Sequence, residues 1–363
     1  MKSKLKVGII FGGKSAEHEV SLQSAKNIYQ AINKDKYDVV LIGIDKQGQW
    51  LLSNDSQLLI EQNNPRLTKL NLSNEVALVP QSNGKLVNVH TGQSHHAVDV
   101  VFPILHGPFG EDGTIQGLLK LANIPFVGAG VLGSAVGMDK DVMKRLLRDA
   151  HIPVAKFLSI KEKNIPSFAE VVKSLGLPFF VKPANLGSSV GINKVHTEQE
   201  YQAAIAEAFS FDKKVLIEEF IQGREIECSV LGNEDPIVSL PGEVISHHDF
   251  YSYDAKYIDK NGASLEIPAK ISSPATKRIQ ELALQVFTVL ECEDMARVDF
   301  FLKEDDTVLV NEINTIPGFT SISMYPKLWE ASGIGYSELI DKLIQLALKR
   351  FAKNQKLRTC YID

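Results

Sequence analysis

The sequence predicts an α/β protein that opens with a parallel sheet and continues with antiparallel hairpins. Residues 6–11 read as a buried strand, Gly12-Gly13 turns the chain into a helical stretch, and Tyr37–Ile44 follows as a second strand. This order of strand, helix and strand is typical of a parallel sheet with crossover helices. Further along the chain, residues 179–195 and residues 297–314 each read as two strands joined by a short turn.

Composition and charge argue against several classes of protein. The 363 residues are 44% hydrophobic and 23% charged, which is ordinary for a globular protein of two or three domains. A net charge of -5 argues against a general nucleic-acid binder. The scattered Cys228, Cys292 and Cys360 fit neither a disulfide framework nor a metal cluster and indicate a reducing compartment. No signal peptide or membrane-spanning run is evident, so we expect a cytoplasmic protein without membrane or nucleic-acid partners.

Four polar side chains are predicted to meet on one face of the hairpin at residues 297–314. Arg297 and Asp299 lie two residues apart, as do Glu312 and Asn314, and such pairs share a face of a strand. Oxygen ligands of this kind suit a hard cation such as magnesium, which would take its remaining ligands from phosphate. The alternative is an ordinary solvated face of an antiparallel sheet.

A second hairpin, at residues 179–195, is a candidate phosphate site. Its turn, residues 187–191, is Gly-Ser-Ser-Val-Gly, so backbone N–H groups and two hydroxyls could face phosphate oxygens. Lys182 lies inside an apolar strand, where its charge needs an anion. The segment is not a P-loop, because the lysine precedes the glycines and no G-K-[ST] is present. The alternative is a mobile surface hairpin.

Three further residues stand near predicted strand or helix ends. Glu17 follows the first strand, where ligands of parallel sheets tend to bind. His106 follows the apolar run 98–105 and begins a glycine-rich turn, although it could be a buried histidine bonded to backbone. Lys140 lies in the first turn of a helix, which is unfavourable for the helix dipole and hints at a partner outside the helix.

Two more segments could complete a nucleotide site. Residues 218–221 with Glu225 offer apolar walls for an adenine ring and a carboxylate for a ribose. Residues 246–262 are aromatic, polar and long enough to form a lid loop, with Lys256 and Tyr257 near its end. The alternative for this loop is that its tyrosines only anchor it.

Several separated motifs together resemble one enzyme family. The chain is similar, essentially end to end, to the D-alanine–D-alanine ligase family of the ATP-grasp superfamily. The motifs are GGKSAEHEVSL, HGPFGEDGTIQG, GMDKDVMKRLL, VKPANLGSSVGINKV, YDAKYID and MARVDFFL followed by VLVNEINTIPGFTSISMYP.

The resemblance implies three units with ATP between two antiparallel sheets. It implies an N-terminal substrate-binding domain at residues 1–138 and a central ATP-grasp subdomain at residues 139–222. A C-terminal ATP-grasp subdomain, residues 223–363, would carry the lid loop and the metal site. The implied protein is a cytoplasmic homodimer.

The implied reaction joins two D-alanines to D-alanyl-D-alanine through an acyl phosphate, releasing ADP and phosphate, for peptidoglycan synthesis, cell-wall biogenesis and cell shape. ATP is the implied co-substrate, with two magnesium ions for which manganese could substitute. The site residues that the resemblance implies are, for catalysis, Glu17, Ser188, Tyr257, Arg297, Gly318 and Ser323; for D-alanine, His106 and Lys256; for ATP, Lys140, Lys182, Glu218, Glu219, Phe220, Ile221 and Glu225; and for the metal, Asp299, Glu312 and Asn314.

The family roles carry over by motif position. Glu17 resembles the residue that holds the first substrate's ammonium and that forms a hydrogen-bonded trio with Ser188 and Tyr257. Arg297 and the backbone of Gly318 resemble the oxyanion donors. In the same way, Ser323 resembles the carboxylate anchor of the second D-alanine, and Glu312 the residue that bridges the metal ions.

Two other functions stay open at this point. A depsipeptide ligase would join D-alanine to D-lactate, but relatives of that kind replace the residue resembling Tyr257, typically with histidine. A nucleotide-binding module without catalysis would have no need for the complete set of Asp299, Glu312 and Asn314.

Overall fold

A computed structural model describes residues 4–53, 75–188, 190–246 and 262–358. The strands are β1 (Leu5–Gly12), β2 (Tyr37–Ile44), β3 (Trp50–Ser53), β4 (Val76–Leu78), β5 (Lys85–Asn88), β6 (Ser94–Ala97), β7 (Val100–Ile104), β8 (Phe157–Ile160), β9 (Phe179–Pro183), β10 (Asn193–Val195), β11 (Val215–Glu219), β12 (Arg224–Gly232), β13 (Ile237–Val238), β14 (Gly242–Ser246), β15 (Ala263–Glu266), β16 (Asp294–Leu302) and β17 (Val308–Asn314). The helices are α1 (His18–Ala31), α2 (Thr114–Leu121), α3 (Val131–Met138), α4 (Lys140–Asp149), α5 (Phe168–Leu175), α6 (Glu198–Phe211), α7 (Ser273–Val289), α8 (Met324–Ala331) and α9 (Tyr336–Asn354).

The N-terminal sheet has the order β3-β2-β1-β7. β1 pairs in parallel with β2 and β7, and β3 joins β2 antiparallel at the edge. α1 is the crossover between β1 and β2, as the alternation of strand and helix predicts. The turn at residues 12–13 and the turn after β7 therefore lie at the carboxyl ends of adjacent parallel strands, which brings Glu17 and His106 to the same edge.

A small antiparallel sheet, β4-β5-β6, follows between β3 and β7 in the chain. The chain then enters a central antiparallel sheet with the order β10-β9-β11-β8. α5 and α6 each begin with a capping box, formed by Ser167 with Glu170 and by Thr197 with Glu200. Their apolar faces share a core with this sheet.

The C-terminal sheet has the order β15-β14-β12-β16-β17, with β13 paired to β12. Its strands are antiparallel, and the predicted pairing of residues 297–314 as a hairpin is confirmed by the ladder between β16 and β17. The apolar face of α7 packs on this sheet. The opposite face of the sheet carries the polar side chains that are described below.

Two of the hydrophobic cores extend across the predicted boundaries between the three units. One hydrophobic cluster joins the N-terminal sheet to Met295, Phe319, Trp329 and the apolar face of α9. α4, which falls in the predicted central unit, contributes buried residues to the core of the C-terminal sheet instead. The boundaries after residues 138 and 222 remain a proposal.

Within the described ranges, no helix combines the length and the apolar character needed to cross a bilayer.

Candidate functional site

The hairpin of β16 and β17 brings its polar side chains together. The register pairs Arg297 with Asn314 and Asp299 with Glu312, and a bulge follows between Asp299 and Phe300. Arg297 donates from Nε and Nη2 to the two oxygens of Asp299, at 2.7 and 2.8 Å. Asn314 Nδ2 donates to Asp299 Oδ2 at 3.0 Å. The predicted convergence on one face is therefore confirmed.

Arg297 is held as a cation by carboxylates on two strands. Its Nε lies 2.8 Å from Glu227 Oε2 on the neighbouring strand β12, in addition to its bonds to Asp299. Burial opposes the charge on Arg297, but Asp299 and Glu227 outweigh burial and hold the pKa of the guanidinium above its ordinary value. Sequence spacing did not single out Glu227, because it lies on a strand that pairs with β16 only in the folded chain.

Two cavities adjoin this hairpin. The first cavity, of about 630 Å³, is lined among others by Glu17, His106, Glu111, Arg297, Gly318 and Ser323. The second cavity, of about 410 Å³, is lined among others by Lys140, Lys182, Glu218, Phe220, Ile221 and Glu225. Gly187, Ser188 and Glu312 line both cavities. Groups bound in the two cavities would therefore meet beside Glu312 and the tip of the 179–195 hairpin.

The tip of that hairpin is joined to the N-terminal part through Glu17. Ser188 Oγ donates a hydrogen bond to Glu17 Oε1. Gly107 has φ +74°, and a Cβ there would lie 2.9 Å from Glu17 Oε2, so glycine leaves room for the carboxylate. Two of the three members of the predicted trio thus meet. Its third member, Tyr257, lies outside the described residues, as does Lys256.

His106 is buried and bonded to backbone, and it also lines the first cavity. Its Nδ1 lies 3.0 Å from the carbonyl oxygen of Ile316. Burial lowers the pKa of His106, so the ring is neutral and Nδ1 is the protonated nitrogen that donates to this carbonyl. His106 is therefore a buried histidine bonded to backbone, as the alternative interpretation holds, and it also lies at the wall of a cavity, as the functional interpretation requires.

Glu111 is a site residue that the sequence argument did not single out, although it lies in the same glycine-rich turn as His106. Its carboxylate accepts from Gly107 N at 2.8 Å and from Ile316 N at 3.1 Å. Burial, with the nearby Glu17 carboxylate, raises the pKa of Glu111 to about 8. Because this pKa lies near neutrality, the protonation state of Glu111 should respond to any charge that enters the first cavity.

The turn after β17 lies against the first cavity and is closely packed. A Cβ at Gly318 would lie 2.7 Å from Ser323 Oγ, so a larger residue would displace that hydroxyl. Ser323 Oγ accepts from Thr320 N at 3.0 Å and lies 2.7 Å from Thr320 Oγ1. The structure thus brings Gly318 and Ser323 together at the wall of this cavity.

In the second cavity, two lysines share one carboxylate. Lys182 and Lys144 form ion pairs with the two oxygens of Glu218. Lys144 lies on the inner face of α4 with no exposed surface, and burial lowers the pKa of its ammonium. Burial tends to raise the pKa of Glu218, but the two lysines outweigh it and keep the pKa below its ordinary value. Glu218 pairs with lysines while it lines the same cavity as Phe220 and Ile221, so its predicted place in the adenine wall stays a prediction.

Lys140 connects the second cavity to the metal-binding candidates. Its Nζ donates to the carbonyl oxygen of Leu186 at 2.7 Å and lies 3.3 Å from Glu312 Oε2. Its backbone N–H donates to Ala184 O at 3.0 Å, which fixes the start of α4 against the 179–195 hairpin. The partner outside the helix that its position suggested is present.

The outer part of the second cavity is aromatic and apolar. The rings of Phe180 and Phe220 lie 6.1 Å apart, and Lys194 Nζ lies 4.1 Å from the centre of the Phe220 ring. Glu219 points toward the chain before β8, where its Oε1 accepts from Lys156 N at 2.7 Å. Apolar walls with an adjacent carboxylate suit a flat, hydrogen-bonding ring.

The oxygen ligands on the hairpin suit a hard cation that takes only some of its ligands from the protein. Among the residues that the structure describes, no three His, Cys, Asp or Glu side chains form a metal cluster. The amide nitrogen of Asn314 is turned to Asp299, which directs its oxygen the other way. Two carboxylates and one amide oxygen match magnesium, which usually takes few protein ligands and completes its shell with water and phosphate.

Comparison with known proteins places the chain among ligases of one kind. The family model described as "D-ala D-ala ligase N-terminus" matches residues 6–129, and the model described as "D-ala D-ala ligase C-terminus" matches residues 146–345. The D-alanine–D-alanine ligase of Oceanobacillus iheyensis is 56% identical over 365 residues, which cover 99% of this chain and 100% of that protein.

Solved structures agree with the sequence relatives. The D-alanine–D-alanine ligase of Coxiella burnetii is 40% identical with a TM-score of 0.87, covering 97% of this chain and 96% of that one. The VanG D-Ala:D-Ser ligase of Enterococcus faecalis is 39% identical with a TM-score of 0.85, covering 95% of this chain and 100% of that one.

Proposed function

The chain belongs to the D-alanine–D-alanine ligase family, and we propose that it joins two D-alanines to D-alanyl-D-alanine for peptidoglycan synthesis, with cleavage of ATP to ADP and phosphate. The observation that carries this proposal is the junction of two cavities beside Glu312. One cavity offers lysines and an apolar wall, and the other offers Glu17 and Arg297. A nucleotide and an amino acid can therefore meet at one point.

In the proposed reaction, a carboxylate oxygen of the first D-alanine attacks the γ-phosphorus, and the bond to ADP breaks. The ammonium of the second D-alanine gives up one proton to solvent, its free amine nitrogen then attacks the acyl carbon, and an electron pair moves onto the carbonyl oxygen. When that pair returns, phosphate leaves and carries away the proton from nitrogen. The protein's task is positioning and charge stabilisation, because no side-chain nucleophile is needed.

The residues divide this task between the cavities. Lys140 and Lys182 would contact the phosphates, while Phe220, Ile221 and Glu225 would enclose the adenosine. Their support is the second cavity that they line together.

On the other side, Glu17 would hold the first ammonium, and Arg297 with the Gly318 N–H would stabilise the oxyanion. Ser323 would anchor the carboxylate of the second D-alanine. These residues line the first cavity.

We also propose that Asp299, Glu312 and Asn314 would hold two magnesium ions, or manganese in their place. Such ions neutralise phosphate charge when bound. We further propose that the protein is a cytoplasmic homodimer, as the family resemblance implies; light scattering of the purified protein would contradict this if it gave a mass near 40.1 kDa, that of one chain.

Phosphate release in the presence of ATP and magnesium tests the proposed function. We expect release with D-alanine alone and none with L-alanine. Arms with added D-lactate or D-serine distinguish the depsipeptide ligase and an acceptor like that of the VanG relative, because each would give its own mixed product. If no arm released phosphate, the enzymatic function would be wrong. The non-catalytic nucleotide-binding module would then become the better interpretation.

Replacing Lys144 tests whether this second partner of Glu218 lets Lys182 turn from Glu218 to the phosphates of ATP. In Lys144→Met, Glu218 keeps Lys182 as its partner, so Lys182 must leave a buried carboxylate unpaired when it turns to the nucleotide. A hydrogen bond to a charged group contributes about 1.5–3 kcal/mol, so the KM for ATP should rise by roughly 10- to 140-fold.

Stability should change little in this variant, because Lys182 still balances the buried carboxylate of Glu218, while methionine removes a buried cation and keeps the volume. Lys173→Met, at an exposed position on α5, is the matched control. Equal KM values for ATP in the two variants would contradict the role of Lys144.

A further inference from the structure

Both sides of Gly318 are fixed by side chains from the N-terminal part of the chain. Residues 316–319, here called the oxyanion loop, begin at Ile316. Its N–H donates to Glu111 at 3.1 Å, and its carbonyl accepts from His106 Nδ1 at 3.0 Å. Both backbone polar groups of Ile316 are therefore bonded to side chains of one glycine-rich turn, so the loop cannot shift without breaking these bonds.

The far side of the loop is held by Ser24 on α1. Ser24 Oγ accepts from the N–H of Phe319 at 3.2 Å and lies 3.3 Å from His106 Nε2. Because His106 is neutral and protonated on Nδ1, its Nε2 accepts, and the Ser24 hydroxyl is the donor. One hydroxyl thus connects Phe319 to the histidine that holds Ile316, and the loop is closed into a single hydrogen-bonded ring.

Ser24 is separated from the reacting groups. It has no exposed surface and is not among the residues lining the first cavity. His106 and Glu111 do line that cavity, so their replacement could act through substrate contact as well as through the loop. Ser24 can affect the reaction only through its hydrogen bonds to Phe319 and His106. Its replacement therefore tests the position of the loop without removing a substrate contact.

We propose that Ser24 is a positioning residue that, through His106 and the oxyanion loop, sets the backbone N–H of Gly318 against the tetrahedral intermediate. This inference rests on the proposed function, which gives that N–H its role. The step affected is the second one, because attack on the γ-phosphorus creates no tetrahedral carbon. Losing the Ser24 hydroxyl should therefore slow peptide-bond formation and spare acyl-phosphate formation.

The test compares Ser24→Ala with Ser21→Ala in the full-length protein. Ser21 lies one turn earlier on α1, has no exposed surface and also makes two hydrogen bonds, from Gly12 N and to Ile104 O. It does not touch the oxyanion loop in either bond. Dipeptide formation is measured beside positional isotope exchange in ATP labelled at the β,γ-bridge oxygen, which reports reversible acyl-phosphate formation.

Displacements of about 1 Å in a site can lower rates by roughly 100-fold, so we expect the kcat for dipeptide to fall at least about 10-fold in Ser24→Ala. Isotope exchange per dipeptide formed should rise, and the KM for ATP should stay constant. Ser21→Ala should lose thermal stability without this change in partition. Equal partition of the two steps in both variants would reduce Ser24 to a structural role and overturn the proposal.

A second variant guards against misfolding of Ser24→Ala. In Ser24→Cys, a thiol of similar size replaces the hydroxyl, and because a thiol is a weak donor and a weak acceptor, the bonds to Phe319 and His106 are both weakened. The same shift toward isotope exchange is expected, and an unchanged partition would again contradict the proposal. Failure of the proposed function itself would look different, because the unsubstituted protein would then show neither D-alanine-dependent phosphate release nor exchange.

Discussion

Glu312→Gln is expected to abolish dipeptide formation while the fold persists. Glu312 lines both cavities, pairs in register with Asp299 and lies 3.3 Å from Lys140 Nζ. The substitution keeps the shape of the side chain but removes a formal charge where a cation and a lysine must both be balanced. Residues that merely support metal ligands cost about 10- to 100-fold when replaced, so a direct ligand should cost at least about 100-fold.

The measurement for Glu312→Gln combines turnover with two independent readouts. Thermal unfolding reports whether the fold persists, and the rise in melting temperature on adding magnesium with ATP reports whether the metal–nucleotide complex is still bound. Glu338→Gln is the control, since Glu338 is an exposed carboxylate paired with Lys342 on α9. Near-normal turnover in Glu312→Gln, or an unchanged shift in melting temperature, would contradict the metal role.

The hairpin that carries Glu312 was predictable because its signal is local. Alternation along two strands and a short charged turn between them determine both the pairing and the shared face. The convergence of Arg297, Asp299 and Asn314 follows from that alternation, and the register confirms it. The bulge after Asp299 was not predictable, since one extra residue leaves no compositional trace.

The lysine cluster could not be predicted in the same way. Lys144 lies on α4 and Glu218 on β11, and no local period connects a helix to a strand that distant in sequence. The helical pattern even favours a solvated lysine at position 144, because lysines are almost never fully buried unless paired. Only the packing of α4 against the C-terminal sheet turns that side chain inward.

Ser24 illustrates a further limit. A serine inside a helical pattern is unremarkable, and its value lies in contacts with Phe319 and His106, which come from two other parts of the chain. The family resemblance supplied roles for residues in its motifs. It gave no role to residues that hold those motifs in place, because such residues contact other side chains and backbone rather than substrate.

Arg297→Lys is expected to slow the second chemical step far more than the first. Arg297 is held by Asp299 through two parallel hydrogen bonds and by Glu227 through Nε, so its guanidinium is fixed before substrate arrives. A lysine keeps the charge but cannot reproduce this fork or its direction. Losing one preorganised oxyanion donor typically costs about 2.7–4 kcal/mol, so dipeptide formation should fall by roughly 100- to 1,000-fold.

The control for Arg297→Lys is an arginine that uses the same two nitrogens to bind a carboxylate away from both cavities. Arg145 on α4 donates from Nε and Nη2 to the two oxygens of Asp141, each at 3.1 Å. Arg145→Lys should leave turnover within about twofold, because Arg145 lines neither cavity and Asp141 keeps Lys214 as an ion-pair partner. In Arg297→Lys, isotope exchange in ATP should continue while dipeptide formation collapses. A parallel fall in exchange and dipeptide would mean that Arg297 acts on the phosphoryl transfer instead, and the oxyanion role would be wrong.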